Sequence, residues 1–476
     1  MEKRPNLKGL SEAQKDELIY SLWDQVQLLR QQVRELQAQL ASNSRNSSKP
    51  PSSDGYGKPK PKSRRRKGEK SSGGQPGHKG ITLKKVSQAD VFVTHEVRQC
   101  SFCGQDLSKE SPTAYEARQV FELREIELEV IEHQAQIKVC PYCQHQGKAS
   151  FPEGVEQPAQ YGARVQSLVT YLSQYQLIPY QRMQELLQDV FHIAMSQGTI
   201  DNLLSRCAAQ LHEFGEAVKG QLIQSEVVHF DESGLRVDKA LHWLHIASTE
   251  RLTYYRIHRK RGHEAMDEIG ILPDYEGCAM HDHWKSYYNY DCSHGLCNAH
   301  HLRELIYAEE EYDQRWAAKL ADCLVEAKAE VDRAKSQGER SLSAQRVAYY
   351  DRRYGRILLQ GYGQLPQLKS HHKRGRPKQH KIKNLFDRLK KHKWETLGFI
   401  YDFSIPFDNN QAERDVRMIK TKQKISGCFR STKGADRFAL IRSYISTTRK
   451  QGLNLLDALS CAFNGNAFIP VSRSLA

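Results

Sequence analysis

No run of apolar residues in this chain approaches the roughly 20 needed to cross a bilayer, and its first residues, MEKRPNLKGL, lack the apolar segment of a secretory signal. Both absences lead us to expect a cytosolic protein with no membrane partner. Acidic residues are also in short supply: 56 Asp and Glu stand against 71 Lys and Arg, a net charge of +15. That imbalance favours a polyanionic partner, and with the membrane set aside the partner is DNA. A disulfide framework is missing as well. The 11 cysteines are an odd number, four of them in two close pairs and the rest scattered, a pattern of metal binding in a reducing compartment. At 476 residues the chain exceeds one hydrophobic core, so several domains are expected.

What is present falls into successive segments. In residues 11–41, Ile19, Val26, Val33 and Leu40 recur every seven positions with Leu22, Leu29 and Leu36 between them. This seam predicts a parallel two-stranded coiled coil that dimerises the protein; one amphipathic helix packing on its own domain is the alternative. Residues 42–90 are Ser, Pro, Gly and basic residues with almost nothing to bury, a disordered linker whose Arg64, Arg65, Arg66 and Lys67 would bind phosphates. In residues 91–150, Cys100 and Cys103 form one close pair and Cys140 and Cys143 another, around an alternating stretch that includes Ile126, Leu128, Val130, Ile137 and Val139. Two such knuckles on strand ends close a four-thiolate shell suited to structural Zn²⁺, so a zinc ribbon is expected. Residues 160–215 carry helical periodicity. The connection HIAMSQG, with Ser196 as an N-cap, fits either a helix-turn-helix or an ordinary helical hairpin.

The chemistry lies further on. SEVVHFDESGLRV reads as a strand through Val227, Val228 and Phe230 with Asp231 near its end, and GCAMHDHWKSYY as an apolar run ending at Asp282. FDNNQAERDVRMIK reads as a helix from about Asn409, with Asn410, Glu413, Arg417 and Lys420 on one face. Three carboxylates from two strand ends and a helix can hold a pair of hard cations, Mg²⁺ or Mn²⁺, and Arg417 and Lys420 could grip phosphates. Neighbouring Glu232, Asp238 and Asp415 are read as solvated. Residues 222–308 and 396–460 would form the core around these acids, interrupted by a helical insertion at 309–395. In that insertion HKRGRPKQ resembles an AT-hook, with Arg374 and Arg376 along a minor groove; a plain basic loop is the alternative. Cys297, His300 and Arg303 are read as positioning residues, since a second zinc site would need two further ligands from among His281, His283 and His294.

NSSKPPSSD, GGQPGHKG, the paired cysteines, HFDES, CNAHHLREL, NNQAERDVRMIK and the terminal QGLNLLDAL follow one another in order. In combination they resemble the large transposase of the insertion sequence 66 family, over nearly the whole chain. The resemblance implies an RNase H-like mixed α/β catalytic core with Asp231, Asp282 and Glu413 at the family's three acidic positions. The fold expected is therefore multidomain α+β: coiled coil, zinc ribbon, helical DNA-binding segment, and that core with its helical insertion. The implied function is a bacterial, nucleoid-associated DDE transposase. It would bind the terminal inverted repeats of an element, cleave them and join the 3′-hydroxyl ends to target DNA as a dimer or larger synaptic oligomer, with or without accessory transposition proteins. One block departs from the family. Where Cys, Trp, Ala, His is common, this chain has Cys297, Asn298, Ala299, His300. Two rivals remain at this point, a zinc-ribbon DNA-binding regulator without catalysis and a nuclease that cuts but never joins.

Overall fold

A computed structural model describes residues 9–47, 54, 82–365 and 379–471. Arg64, Arg65, Arg66, Lys67, Arg374 and Arg376 lie outside the described residues. The first helix, α1 (Glu12–Ala41), opens with a capping box in which the Ser11 side chain accepts from the Gln14 backbone and the Gln14 side chain accepts from the Ser11 backbone. The heptad residues Ile19, Leu22, Val26, Leu29, Val33, Leu36 and Leu40 are all exposed along it. Its C-terminal end is docked: Tyr307 donates to the Ala38 carbonyl, and Arg45 forms a two-pronged pair with Glu310 at 2.7 and 3.0 Å.

The cysteine segment holds a small antiparallel pair, β1 (Ile137–Val139) and β2 (Gln146–Lys148). The alternating stretch ahead of it forms no strand: residues 114–136 have no helix or strand, and Val130 and Ile131 are exposed there. Alternation specifies a strand only when a neighbouring strand takes up its backbone hydrogen bonds, and among the described residues no strand pairs with 114–136.

Helices α2 (Ala163–Thr170), α3 (Tyr180–Phe191), α4 (Gln197–Ala209) and α5 (His212–Ile223) follow. Ser196 caps α4 as the sequence suggests, accepting from the Thr199 backbone. The chain then enters the sheet through β3 (Val227–Val237), β4 (Ala240–Ser248) and β5 (Thr253–His258), crosses α6 (His263–Ile269), and adds β6 (Cys278–His281) and β7 (Ser293–Leu296). The strand order is β5-β4-β3-β6-β7. The first three strands form an antiparallel meander, whereas β3, β6 and β7 run parallel. Asp238 and Lys239, with φ of 45° and 62°, make the tight two-residue turn between β3 and β4.

Helices α7 (Asn298–Tyr312), α8 (Arg315–Ser336), α9 (Ala344–Gly361), α10 (Lys381–Lys391) and α11 (Lys393–Tyr401) follow, and the described residues of 309–395 hold helices and no strand, around a core that includes Trp316, Tyr354 and Phe386. Gly361 is required there, because a Cβ would meet Trp316 at 2.6 Å. The chain returns with α12 (Asn410–Ser426), α13 (Thr432–Lys450) and α14 (Leu455–Phe463). Two hydroxyls one turn apart on α13 cover the free edge of β5: Ser443 accepts from the Tyr255 backbone at 2.8 Å and Thr447 from Thr253 at 3.1 Å.

The period of two along β3 separates its faces. Val228 and Phe230 join a core shared with α4, α5, α13 and α14, and Leu235 and Val237 join a second core with Ile419 of α12. Asp231 is on the α12 face by the same parity. Glu232 is on the other.

Candidate active site

Three elements converge on Asp231. It sits on β3, paired with Ile246 of β4. On its other side β6 runs parallel, with His229 opposite Met280; two further residues along each chain bring Asp231 level with Asp282, just past the end of β6. His283, with φ 77°, turns the backbone away at that point, and Asp282 accepts from the Trp284 backbone at 3.3 Å. Glu413 comes from the first turn of α12. Burial, then the charges of Glu232, Asp282 and Glu413, hold the Asp231 carboxyl well above the usual carboxylate range. Asp231 therefore feels both of the other acids the sequence nominated. The oxygens of the three do not all lie within 4.8 Å of one another.

Asn409 fixes this geometry. Fully buried just ahead of α12, it donates through Nδ2 to the Phe230 carbonyl at 2.8 Å, and its backbone N–H donates to the Cys297 Sγ at 3.2 Å. Its Oδ1 is left to accept from His229 Nδ1 at 2.8 Å. Burial keeps His229 below the ordinary histidine range, and because Asn409 Oδ1 can only accept, Nδ1 carries the proton of this bond. One side chain thus ties the start of α12 to β3 beside Asp231. Sequence reasoning chose Asn410 and missed Asn409. The available signal was the preference for Asn at the residue before a helix.

Around Glu413, Cys297 donates from Sγ at 4.0 Å, and His300 Nδ1 and Arg303 Nη2 each lie 3.7 Å from its Oε1. Burial pushes the Cys297 thiol up to about 12. The histidines considered as further ligands are occupied elsewhere: His281 accepts from the His283 backbone at 3.1 Å and reaches His294 at 3.2 Å, while His283 packs edge-on to His392. Lys420 donates to the Gly234 carbonyl at 3.0 Å, whereas Arg417 is exposed.

Two of the three acids read as solvated are not. Glu232 is buried, accepting from the Tyr287 hydroxyl and paired with Arg261 at 3.3 Å. Burial and the charge of Asp282 push it up to about 7. Arg261 is itself held between Trp243, 4.9 Å away, and Trp284, 3.9 Å away. Asp415 pairs with Lys450 at 2.8 Å and is almost buried. Local pattern does not reveal either partner, since both come from distant parts of the chain.

Each cysteine pair forms a knuckle turn. Gly104 N–H donates to the Cys100 carbonyl and Gln144 N–H to the Cys140 carbonyl, both at 2.9 Å, with Gly104 and Gln144 in the left-handed region. The backbone N–H groups of Cys103 and Cys143 hold the Cys100 and Cys140 thiols below the ordinary range. Among the described residues, no three of the four sulfurs gather within 4.8 Å. In the helical segment, Asp201 of α4 is paired with Arg437 of α13, which also donates to Ser205. That face of α4 is therefore held against α13.

The chain is a mixed α/β protein in which β3 carries Asp231, Asp282 follows the end of the parallel β6, and the first turn of α12 carries Glu413. Residues 158–437, which span every strand of the sheet and all three acids, match the model of the Transposase IS66 family, and residues 2–84 match a family of unknown function (DUF6444). The chain belongs to the IS66 transposase family, and its role is that of a transposase, a protein that acts on DNA. No curated protein matches it. Among the described residues no helix is long and apolar enough to cross a membrane.

Proposed function

We propose that this transposase binds the ends of its element, cleaves them and joins the freed 3′-hydroxyls to target DNA, with Asp231, Asp282 and Glu413 as the ligands of two Mg²⁺ or Mn²⁺ ions. The observation that carries the reading is the meeting of those three acids from β3, the end of β6 and the first turn of α12, where Asp231 feels the charge of both others. The sheet order, an antiparallel meander continued by two parallel strands, supports an RNase H-like core.

Oxygen donors alone suit hard divalent cations. Such ions, when bound, activate water or a 3′-hydroxyl and stabilise the leaving oxygen. The protein's own part is positional. Asn409 locks the register of α12 against β3, so Glu413 faces Asp231 without a search. The turn at His283 projects Asp282 toward the same point. Arg417 is available to a phosphate, whereas one donor of Lys420 is already spent on Gly234. Cys100, Cys103, Cys140 and Cys143 would hold one structural Zn²⁺, since four thiolates suit that ion and leave no position for substrate. The exposed heptad face of α1 supports pairing of two chains, each bringing one DNA end. We place this activity in the cytoplasm, at the nucleoid.

A strand-transfer assay with DNA carrying the element's ends separates the readings. Joined products with Mg²⁺ are expected. Cleavage without joining would indicate a nuclease, and binding without either would indicate a regulator.

A further inference from the structure

We propose that Cys297, His300 and Glu413 form a second metal site, selective for Zn²⁺ over Mg²⁺, whose occupation withdraws Glu413 from the acidic centre and inhibits the transposase. The inhibitory part rests on the proposed role of Glu413; the binding part does not.

Three observations carry the site. First, one ligand atom from each residue lies within 4.8 Å of the other two, the only such set of three or more among the described residues. From Glu413 Oε1 the thiol sulfur is 4.0 Å away and the imidazole Nδ1 3.7 Å. Ligands roughly 2.0 to 2.3 Å from a tetrahedral zinc lie roughly 3.3 to 3.6 Å apart, so the two separations from Glu413 need to close by about 0.4 to 0.5 Å. Second, His300 Nδ1 is buried without a hydrogen-bond partner. A buried nitrogen normally finds one, and an unsatisfied one costs about 1–3 kcal/mol. A cation between it and Glu413 would take up that lone pair. Third, Cys297 sits just before the first residue of α7, and its sulfur already accepts the Asn409 N–H, which holds it in place beside Glu413.

The donor set decides the ion. A thiolate and an imidazole beside one carboxylate favour a borderline-soft cation, whereas Mg²⁺ prefers oxygen alone. The three residues leave a fourth tetrahedral position for water. Binding replaces the thiol proton, which passes to solvent, and Arg303 gives up its 3.7 Å contact with the same oxygen. Because Glu413 would serve both sites, an ion drawn toward Cys297 and His300 competes with Mg²⁺ for that carboxylate.

The test uses the full chain in two arms. In the first, zinc affinity beyond the tightly held equivalent of the cysteine knuckles is measured by competition with a chelating dye for wild type, Cys297→Ser and His300→Gln, with circular dichroism confirming that each variant folds. We expect one additional equivalent for wild type and binding weakened at least about tenfold in both variants. Equal binding in all three overturns the site. In the second, Zn²⁺ is titrated into cleavage reactions with Mg²⁺, each protein being compared with its own zinc-free rate. Inhibition of wild type that rises in midpoint with Mg²⁺, and is weakened at least about tenfold in Cys297→Ser, is expected. Inhibition unaffected by either change overturns the regulatory role. A wild type that never cleaves with Mg²⁺ would instead refute the proposed function, leaving the first arm to decide the zinc site alone.

Discussion

Phe214 on α5 is fully buried in a core it shares with Leu459 and Tyr444, whereas Phe102, between the first two cysteines, is 98% exposed. The contrast runs through both regions. The sheet assembles its acids because Val228, Phe230, Ala279 and their neighbours remove enough apolar surface from water, at roughly 1.5–3 kcal/mol for each large side chain, to hold the strands in register. The cysteine segment buries almost nothing: Phe92, Val93, Val120, Leu123 and Tyr142 are all exposed. Its order is confined to two knuckle turns and a short strand pair. A segment so poor in core must draw its folding free energy from elsewhere, and a structural metal is a sufficient source.

That difference can be broken region by region. The largest effect belongs to the knuckles: Cys140→Ser should leave residues 91–150 open to limited proteolysis while the unfolding transition of the sheet stays in place. Loss of both together would mean that the two regions share one folding unit. Next comes Phe214→Ala, which empties a packed site and should destabilise the sheet domain by about 3–5 kcal/mol in urea titrations.

A smaller, pH-dependent effect is expected at Glu232, whose carboxyl rises from 4.5 to about 7. Between those values the folded protein keeps a proton that the unfolded chain releases. The stabilisation this gives is complete below pH 4.5, falls as pH rises through the window, and is gone above about 7. Glu232→Gln should flatten stability across that window, by roughly 3 kcal/mol at most. Identical pH profiles for the two proteins would show that Arg261 and Tyr287 fully compensate the buried charge. The smallest effect is that of Phe102→Ala, within about 0.5 kcal/mol, because it uncovers nothing.

The same contrast explains what could be read from the sequence. The elements that carry Asp231, Asp282 and Glu413 were legible because their period is local: strand alternation, an apolar run, a helix start at Asn410 one residue from that expected; Asp231 lies in the middle of β3, which runs on to Val237, rather than near its end. The Ser196 cap and the helical insertion were legible for the same reason. Asn409, the Glu232 pairing with Arg261 and Tyr287, and the Asp415 pair with Lys450 were not, because their partners come from other elements. The strand expected through Ile126, Leu128 and Val130 failed for a related reason. Alternation states which face a strand would bury but supplies neither the partner nor the core to bury it against.

The central claim is that Asp231, Asp282 and Glu413 work as one cation-binding unit, and the most direct measurement is Mg²⁺-dependent cleavage of element-end DNA by Asp231→Asn, Asp282→Asn and Glu413→Gln, alone and combined, alongside their DNA affinity. Residues acting as a unit are non-additive. The account predicts that each single change abolishes cleavage, that the double changes are little worse, and that DNA binding persists throughout. Near-normal cleavage by any one of the three single variants would contradict it.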